Sequence, residues 1–311
     1  MSIADQITRL SNAKAAIKTS IENKGVTVGD DVKLDAYPAL IDSIEAGGGS
    51  GEIHVNPDFY DLRTQNGTNY DYLFRCYNGP DIDVSQWDTS KVTSAKYCFS
   101  ECTKSMDISN WNLSSLTDAS YMFYSFTNNN KYIDLSVLDF SNVTNVYNMF
   151  NNSNTDYLDV RNINLTCTNS YERLFYNGKG TYLDLSTWDI SKVTIIERLF
   201  YSAKYIKIDL TGWNTVNVTK MSYTFYYLPS LETLIIPDWD MTNATSTTSF
   251  LSSVSKLKYI DLSRSNDLTI KKIASFLPST AGIMIIPAST SQTAIDAVTA
   301  KGWTTSTEPT Q

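Results

Sequence analysis

Along residues 182–194, YLDLSTWDISKVT, apolar and polar positions alternate at first and then spread out. Leu183 and Leu185 fall on one face of an extended segment, and Tyr182, Asp184 and Ser186 on the other, which predicts a strand with one buried side. Trp188, Ile190 and Val193 follow at wider spacing, and Phe200 closes the segment. The pattern returns as IDVSQWDTSKVT from Ile82, MDISNWNLSSLT from Met106 and IDLSVLDFSNVT from Ile133. Looser copies start at Leu158, Ile208, Leu234 and Ile260. Phe74, Phe99, Phe123, Phe150, Phe175, Phe200, Phe225, Phe250 and Phe276 mark the period, with spacings of 25, 24, 27, 25, 25, 25, 25 and 26 residues. So regular a recurrence predicts a solenoid, in which each repeat buries its apolar face against its neighbours.

Reading the copies as columns separates core from surface. The column of Leu185 runs Val84, Ile108, Leu135, Val160, Leu185, Leu210, Ile236 and Leu262 and never becomes polar. It is core. The column of Trp188 contains Trp87, Trp111, Trp213 and Trp239 but also Leu138 and Ile163. Neither aliphatic offers a ring for stacking a ligand, so this column is assigned to core filling. The next position alternates between Asp and Asn (Asp88, Asn112, Asp139, Asn164, Asp189, Asn214, Asp240), residues whose short oxygen can accept a backbone N–H at a bend. The threonines Thr93, Thr117, Thr144, Thr194, Thr219 and Thr245 suit N-caps of short helical turns leading into each phenylalanine.

Two outward columns remain. One holds Asp83, Asp107, Asp134, Asp159, Asp184, Asp209 and, after Ile235, Asp261. The other holds Asp81, Ser105, Tyr132, Tyr157, Tyr182, Lys207, Thr233 and Tyr259. Carboxylates stacked at a strand spacing of about 4.8 Å repel by about 1 kcal/mol per pair in water. Either neighbouring Ser, Tyr and Lys side chains offset that repulsion, or the face is a polar, aromatic groove for hydroxyl-rich or cationic ligands. The candidate ligand-binding residues are therefore Tyr132, Asp134, Tyr157, Asp159, Tyr182, Asp184, Lys207, Asp209, Tyr259 and Asp261. Calcium at the aspartate row is a hypothesis within the second alternative. No dedicated metal site and no cofactor is expected.

The flanks differ from the repeats. Residues 3–23 place Ile3, Ile7, Leu10, Ile17 and Ile21 at helical spacing, and AYPALIDSIEA predicts a second short helix. Residues 1–46 thus form a small helical module for docking or self-association, since two short helices bury little surface alone. GGGSG at 47–51 is a flexible linker, and the repeats occupy 52–282. The C-terminal part, 283–311, is expected to cap the last apolar layer with a strand over 283–286 and a helix over 293–300, ahead of a polar tail.

Composition narrows the function classes. The 311 residues carry a net charge of -8, which argues against nucleic-acid binding, where a basic stripe must neutralise phosphates. No apolar run reaches membrane-spanning length, and no signal-peptide core follows Met1, so neither membrane insertion nor export by such a signal is expected. Cys76, Cys98, Cys102 and Cys167 lack paired spacing, and His54 is the single histidine. Free thiols are expected, and a zinc site is not. No nucleophile motif or distinct carboxylate pair interrupts the repeats, so an enzyme is not expected.

The units DISNWNLSSLTDASYMF and DLSTWDISKVTIIERLF resemble the BspA-like leucine-rich repeats of bacterial surface proteins, across residues 82–276. That resemblance implies an α/β, leucine-rich-repeat-like right-handed stack with a parallel β-sheet on one face, and a role in adhesion. The features AKAAI, KGVTV and YPALIDSI resemble an N-terminal module of bacteriophage tail and baseplate-associated proteins. Together the two imply a tail-associated receptor-binding protein of the virion, assembled in the host cytoplasm. Residues 1–46 would meet tail or baseplate proteins, and the solenoid a host-surface glycan or protein. The alternatives are a bacterial cell-surface adhesin and a passive structural virion protein.

Overall fold

The computed structural model describes residues 67–77, 84–85, 87–104, 106–126, 133–156, 158–166 and 168–308. These belong to one compact unit, residues 65–311. The helical module, the linker, Asp81, Asp83, Tyr132, Tyr157 and Cys167 lie outside the described residues.

Each YLD-type segment is a short strand, and each pairs in parallel with its counterpart one repeat later. Strands β1 (Ile133–Asp134) and β2 (Leu158–Asp159) form one pair. A six-stranded parallel sheet follows, in the order β3 (Tyr182–Asp184), β4 (Lys207–Asp209), β5 (Thr233–Ile235), β6 (Tyr259–Asp261), β7 (Ile283–Ile285) and β8 (Thr304–Ser306). The register sets Tyr182 beside Lys207, Lys207 beside Thr233 and Thr233 beside Tyr259. Helices α1 (Asp267–Phe276) and α2 (Gln292–Thr299) accompany the last strands, giving an α/β fold of repeat-like character. Strand β8 adds a second strand to the one that the sequence predicts for 283–311.

The core follows the columns. Val84, Ile108, Leu135, Val160, Leu185, Leu210, Ile236 and Leu262 are all buried. Phe74, Phe99, Phe123, Phe150, Phe175, Phe200 and Phe225 form an unbroken stack with centroids 5.2–5.9 Å apart. Trp111, Trp188, Trp213 and Trp239 are buried, while Trp87 is half-buried. The tryptophans also do something that their replacement by Leu138 and Ile163 concealed. The indole N–H groups of Trp111, Trp188 and Trp213 donate to the carbonyls of Val84, Val160 and Leu185 in the preceding repeat, at 3.2, 2.9 and 2.9 Å.

The threonine column does not cap helices. Each Thr donates both its backbone N–H and its hydroxyl to the carbonyl one repeat earlier: Thr117 to Thr93, Thr144 to Thr117, Thr219 to Thr194 and Thr245 to Thr219. The threonines build a second ladder between repeats, and the segments after them coil through tight turns. The last repeat is different. There Asn266 accepts from the Thr269 N–H and caps α1, whose buried Ile270, Ile273 and Ala274 follow helical spacing.

Candidate ligand-binding faces

The predicted sheet face exists over the described strands, and its carboxylates are engaged. Asp134 accepts from Ser136 N–H, Asp184 from Ser186, Asp209 from Thr211 and Asp261 from Ser263, at 2.8, 3.0, 3.1 and 2.9 Å. The hydroxyls of Ser186 and Thr211 add a second bond each, at 2.7 Å. Asp159 takes the backbone N–H of Arg161 and a two-pronged contact from its guanidinium. The row is thus a series of turn-closing side chains, each tying the strand end to the residue two positions on. Of the two alternatives for this row, the geometry favours hydrogen bonding that offsets the repulsion.

The aromatic column on the same face is ordered at β3 and β4. Lys207 holds its ammonium 4.8 Å from the centre of the Tyr182 ring, and the Tyr182 hydroxyl donates to Asp209 at 3.3 Å. Burial first, then the charges of Asp209 and Asp184, push the Tyr182 phenol up to about 12. Tyr182 is 44% exposed and Tyr259 half-buried.

A second face was missed. Two residues before most of the phenylalanines, and two after, the backbone takes a positive φ without glycine: Tyr72 and Cys76, Tyr97 and Glu101, Tyr121 and Ser125, Arg173 and Asn177, Arg198 and Ser202, Tyr223 and Tyr227. Such left-handed residues cost roughly 1 kcal/mol or more each. Bonds between repeats offset that cost: Tyr97, Phe99 and Glu101 donate to the carbonyls of Ser120, Met122 and Tyr124, at 3.1, 2.8 and 2.8 Å. The turns carry a band of side chains on their outer edge. Tyr72, Tyr97 and Tyr121 stack at 5.0 and 4.3 Å, and Tyr176, Tyr201 and Tyr226 at 4.8 and 4.8 Å. Tyr147 joins the groups, edge-on to Tyr121 and under the Arg173 guanidinium, which also covers Tyr176. In the first unit Tyr72 precedes Phe74 and Arg75 follows it, lying over Tyr72 and Tyr97. In the units of Phe175 and Phe200 a tyrosine follows Phe and an arginine precedes it, and Arg198 lies over Tyr223. The sequence marks this band in KYCF, SYMF, YERLFY, ERLFY and SYTFYY, where Tyr or Arg stands within two residues of the phenylalanine, but these neighbours vary where the phenylalanine does not.

A third feature is a cleft at the turns after β4, β5 and β6, lined by Gly212, Asn214, Asp238, Trp239, Asp240, Arg264 and Asn266. Arg264 grips Asp238 through two contacts of 2.5 Å, and this pairing holds the Asp238 carboxyl below the usual range. Among the described residues no cluster of three His, Cys, Asp or Glu could hold a metal ion, and no helix is long and apolar enough to cross a membrane. Cys76, Cys98 and Cys102 are free thiols.

The repeats and their outward faces define an α/β repeat protein. The family model described as "Mycoplasma protein of unknown function, DUF285" matches residues 51–181 and 154–265. Those matches span more than half of the chain, which therefore belongs to the DUF285 family. No curated protein and no solved structure matches it.

Proposed function

We propose that this chain is a non-catalytic recognition protein, whose repeats form a right-handed, leucine-rich-repeat-like solenoid that binds a ligand on a host cell surface. One observation carries the reading. Consecutive repeats hold aromatic and charged side chains at fixed outward positions, above apolar columns that are buried throughout. Pre-ordered tyrosine and arginine surfaces are typical of binding sites, because little side-chain freedom is left to lose.

The resemblance of residues 1–46 to tail-associated modules supports a virion setting, with that segment docking to tail or baseplate proteins. The family's description as a Mycoplasma protein favours a second reading, an adhesin on a bacterial surface. Labelled full-length protein applied to candidate host cells tests recognition: saturable binding is expected, and failure to bind any cell type would overturn it. Detection of the chain on purified virions, lost on deleting residues 1–51, separates the two settings.

A further inference from the structure

We propose that the tyrosine–arginine band beside the phenylalanine stack is a binding site for a linear polysaccharide bearing carboxylates. The inference rests on the recognition reading and assigns it a face and a ligand class. The band is continuous. From Tyr72 through Tyr97, Tyr121, Tyr147, Arg173, Tyr176 and Tyr201 to Tyr226, every neighbour is in ring or cation contact with the next. It crosses seven repeats, from the turn around Phe74 to that around Phe225, so at about 4.8 Å per repeat its length is roughly 30 Å. Its width is only the few positions from three before each phenylalanine to one after. That is the footprint of an extended polymer rather than of a globular domain.

The chemistry of the band selects the ligand. Three guanidinium groups are posed on tyrosine rings, with Arg75, Arg173 and Arg198 at 5.1–5.9 Å from ring centres. Their donors are little used. Arg75 lies 3.9 Å from Glu101 and Arg173 3.8 Å from Glu172, both beyond hydrogen-bond length. Among the described residues Arg198 makes no ion pair, and the Nε atoms of Arg75 and Arg173 are buried without a hydrogen-bond partner. Those Nε atoms are covered, so the fork offered to a carboxylate is the Nη pair of each guanidinium, which makes no hydrogen bond within the described residues. Within each trio, Tyr72–Tyr97–Tyr121 and Tyr176–Tyr201–Tyr226, the rings stack face to face, so they present edges and hydroxyls more than ring faces. The hydroxyls of Tyr176, Tyr201 and Tyr226 make no hydrogen bond within the described residues, and they can meet sugar hydroxyls. The backbone beneath is fixed by bonds between repeats, so little freedom remains to be lost on binding.

The test is affinity electrophoresis of the full chain in gels containing polygalacturonate, its methyl-esterified neutral form, or a polyphosphate. Polygalacturonate is expected to retard the protein, with the neutral ester and the polyphosphate weaker. Arg173→Gln/Arg198→Gln should weaken retardation by about tenfold or more, and Arg173→Lys/Arg198→Lys should recover only part, because the ammonium lacks the planar fork. Lys207→Gln, on the sheet face, should change nothing. Equal retardation by the neutral ester, stronger retardation by polyphosphate, no retardation at all, or sensitivity to Lys207→Gln alone would each overturn the proposal. Host-cell binding that survives Arg173→Gln/Arg198→Gln would sink this inference and leave the recognition reading standing.

Discussion

Val160 has a single partner for its carbonyl among the described residues, the indole N–H of Trp188 at 2.9 Å. The Leu185 carbonyl, by contrast, accepts both the Trp213 indole and the Trp188 backbone N–H, at 2.9 and 3.0 Å. Leu138 and Ile163 show that an aliphatic can occupy the tryptophan column, but they say nothing about the carbonyl such a change would strand. Trp188→Leu is therefore expected to cost roughly 2–4 kcal/mol, the lost volume plus an unsatisfied buried acceptor. Trp213→Leu should cost about 1–2 kcal/mol less, since Leu185 keeps one bond. Urea unfolding of the two variants measures the difference, and equal losses would show that volume alone matters. Phe200→Ala, which removes a ring stacked between Phe175 and Phe225, is expected to cost roughly 3–5 kcal/mol in the same assay.

At the scale of elements, periodicity reveals what repeats and conceals what a repeat does with it. The strands over Tyr182–Asp184 and Lys207–Asp209, their inward leucines and the Asx-type turns at Asp88, Asn112 and Asp189 are all legible in the sequence. Alternation and short acceptors act within a few residues, so they leave a local signature. The threonine ladder does not. Thr219 satisfies a carbonyl 25 residues away, and a recurring Thr looks the same whether it caps a helix or joins two repeats. The left-handed turns were hidden for a related reason. Their expected marker is glycine, yet Tyr97 and Arg198 adopt them at φ 56 and 56, because the bonds between repeats hold them there. Part of the candidate sheet face was legible too, though the hydrogen bonds that engage its carboxylates depend on how each strand end bends. Helix α1 marks where this pattern ends: Asn266→Ala should cost about 1 kcal/mol by removing its N-cap. Thermal unfolding checks this, and an unchanged midpoint would mean that buried Ile270 and Ile273 alone fix the helix.

For the whole molecule, the sign of the pH response separates repulsion among carboxylates from hydrogen bonding to them. With a net charge of -8, simple repulsion would make acidification stabilising. The local chemistry points the other way. The Ser90 hydroxyl and N–H hold Asp88 below the ordinary carboxylate range, as Ser191 does for Asp189 and Ser291 for Asp267. Arg264 lowers Asp238. Burial pushes Asp240 up, but bonds from Thr242 and Asn266 outweigh it and leave the carboxyl lowered. A group whose pKa is depressed on folding releases its proton more readily in the folded state. The stability it contributes is complete above the unfolded value, about pH 4, and is lost as pH falls through the folded value. The melting temperature should therefore rise with pH from about 2.5 to about 5 and then level off. Asp189→Asn, which keeps an oxygen acceptor for Ser191 but does not titrate, should reduce that slope. Calcium at neutral pH should leave the melting temperature unchanged, because the carboxylates of the sheet row already accept from the residues two positions on. Scanning calorimetry across pH 2.5–7, with calcium and with chelator, decides between the two pictures. A midpoint that climbs on acidification would show that repulsion outweighs these turn bonds, and one that rises with calcium would return the sheet face to the role of a cation site.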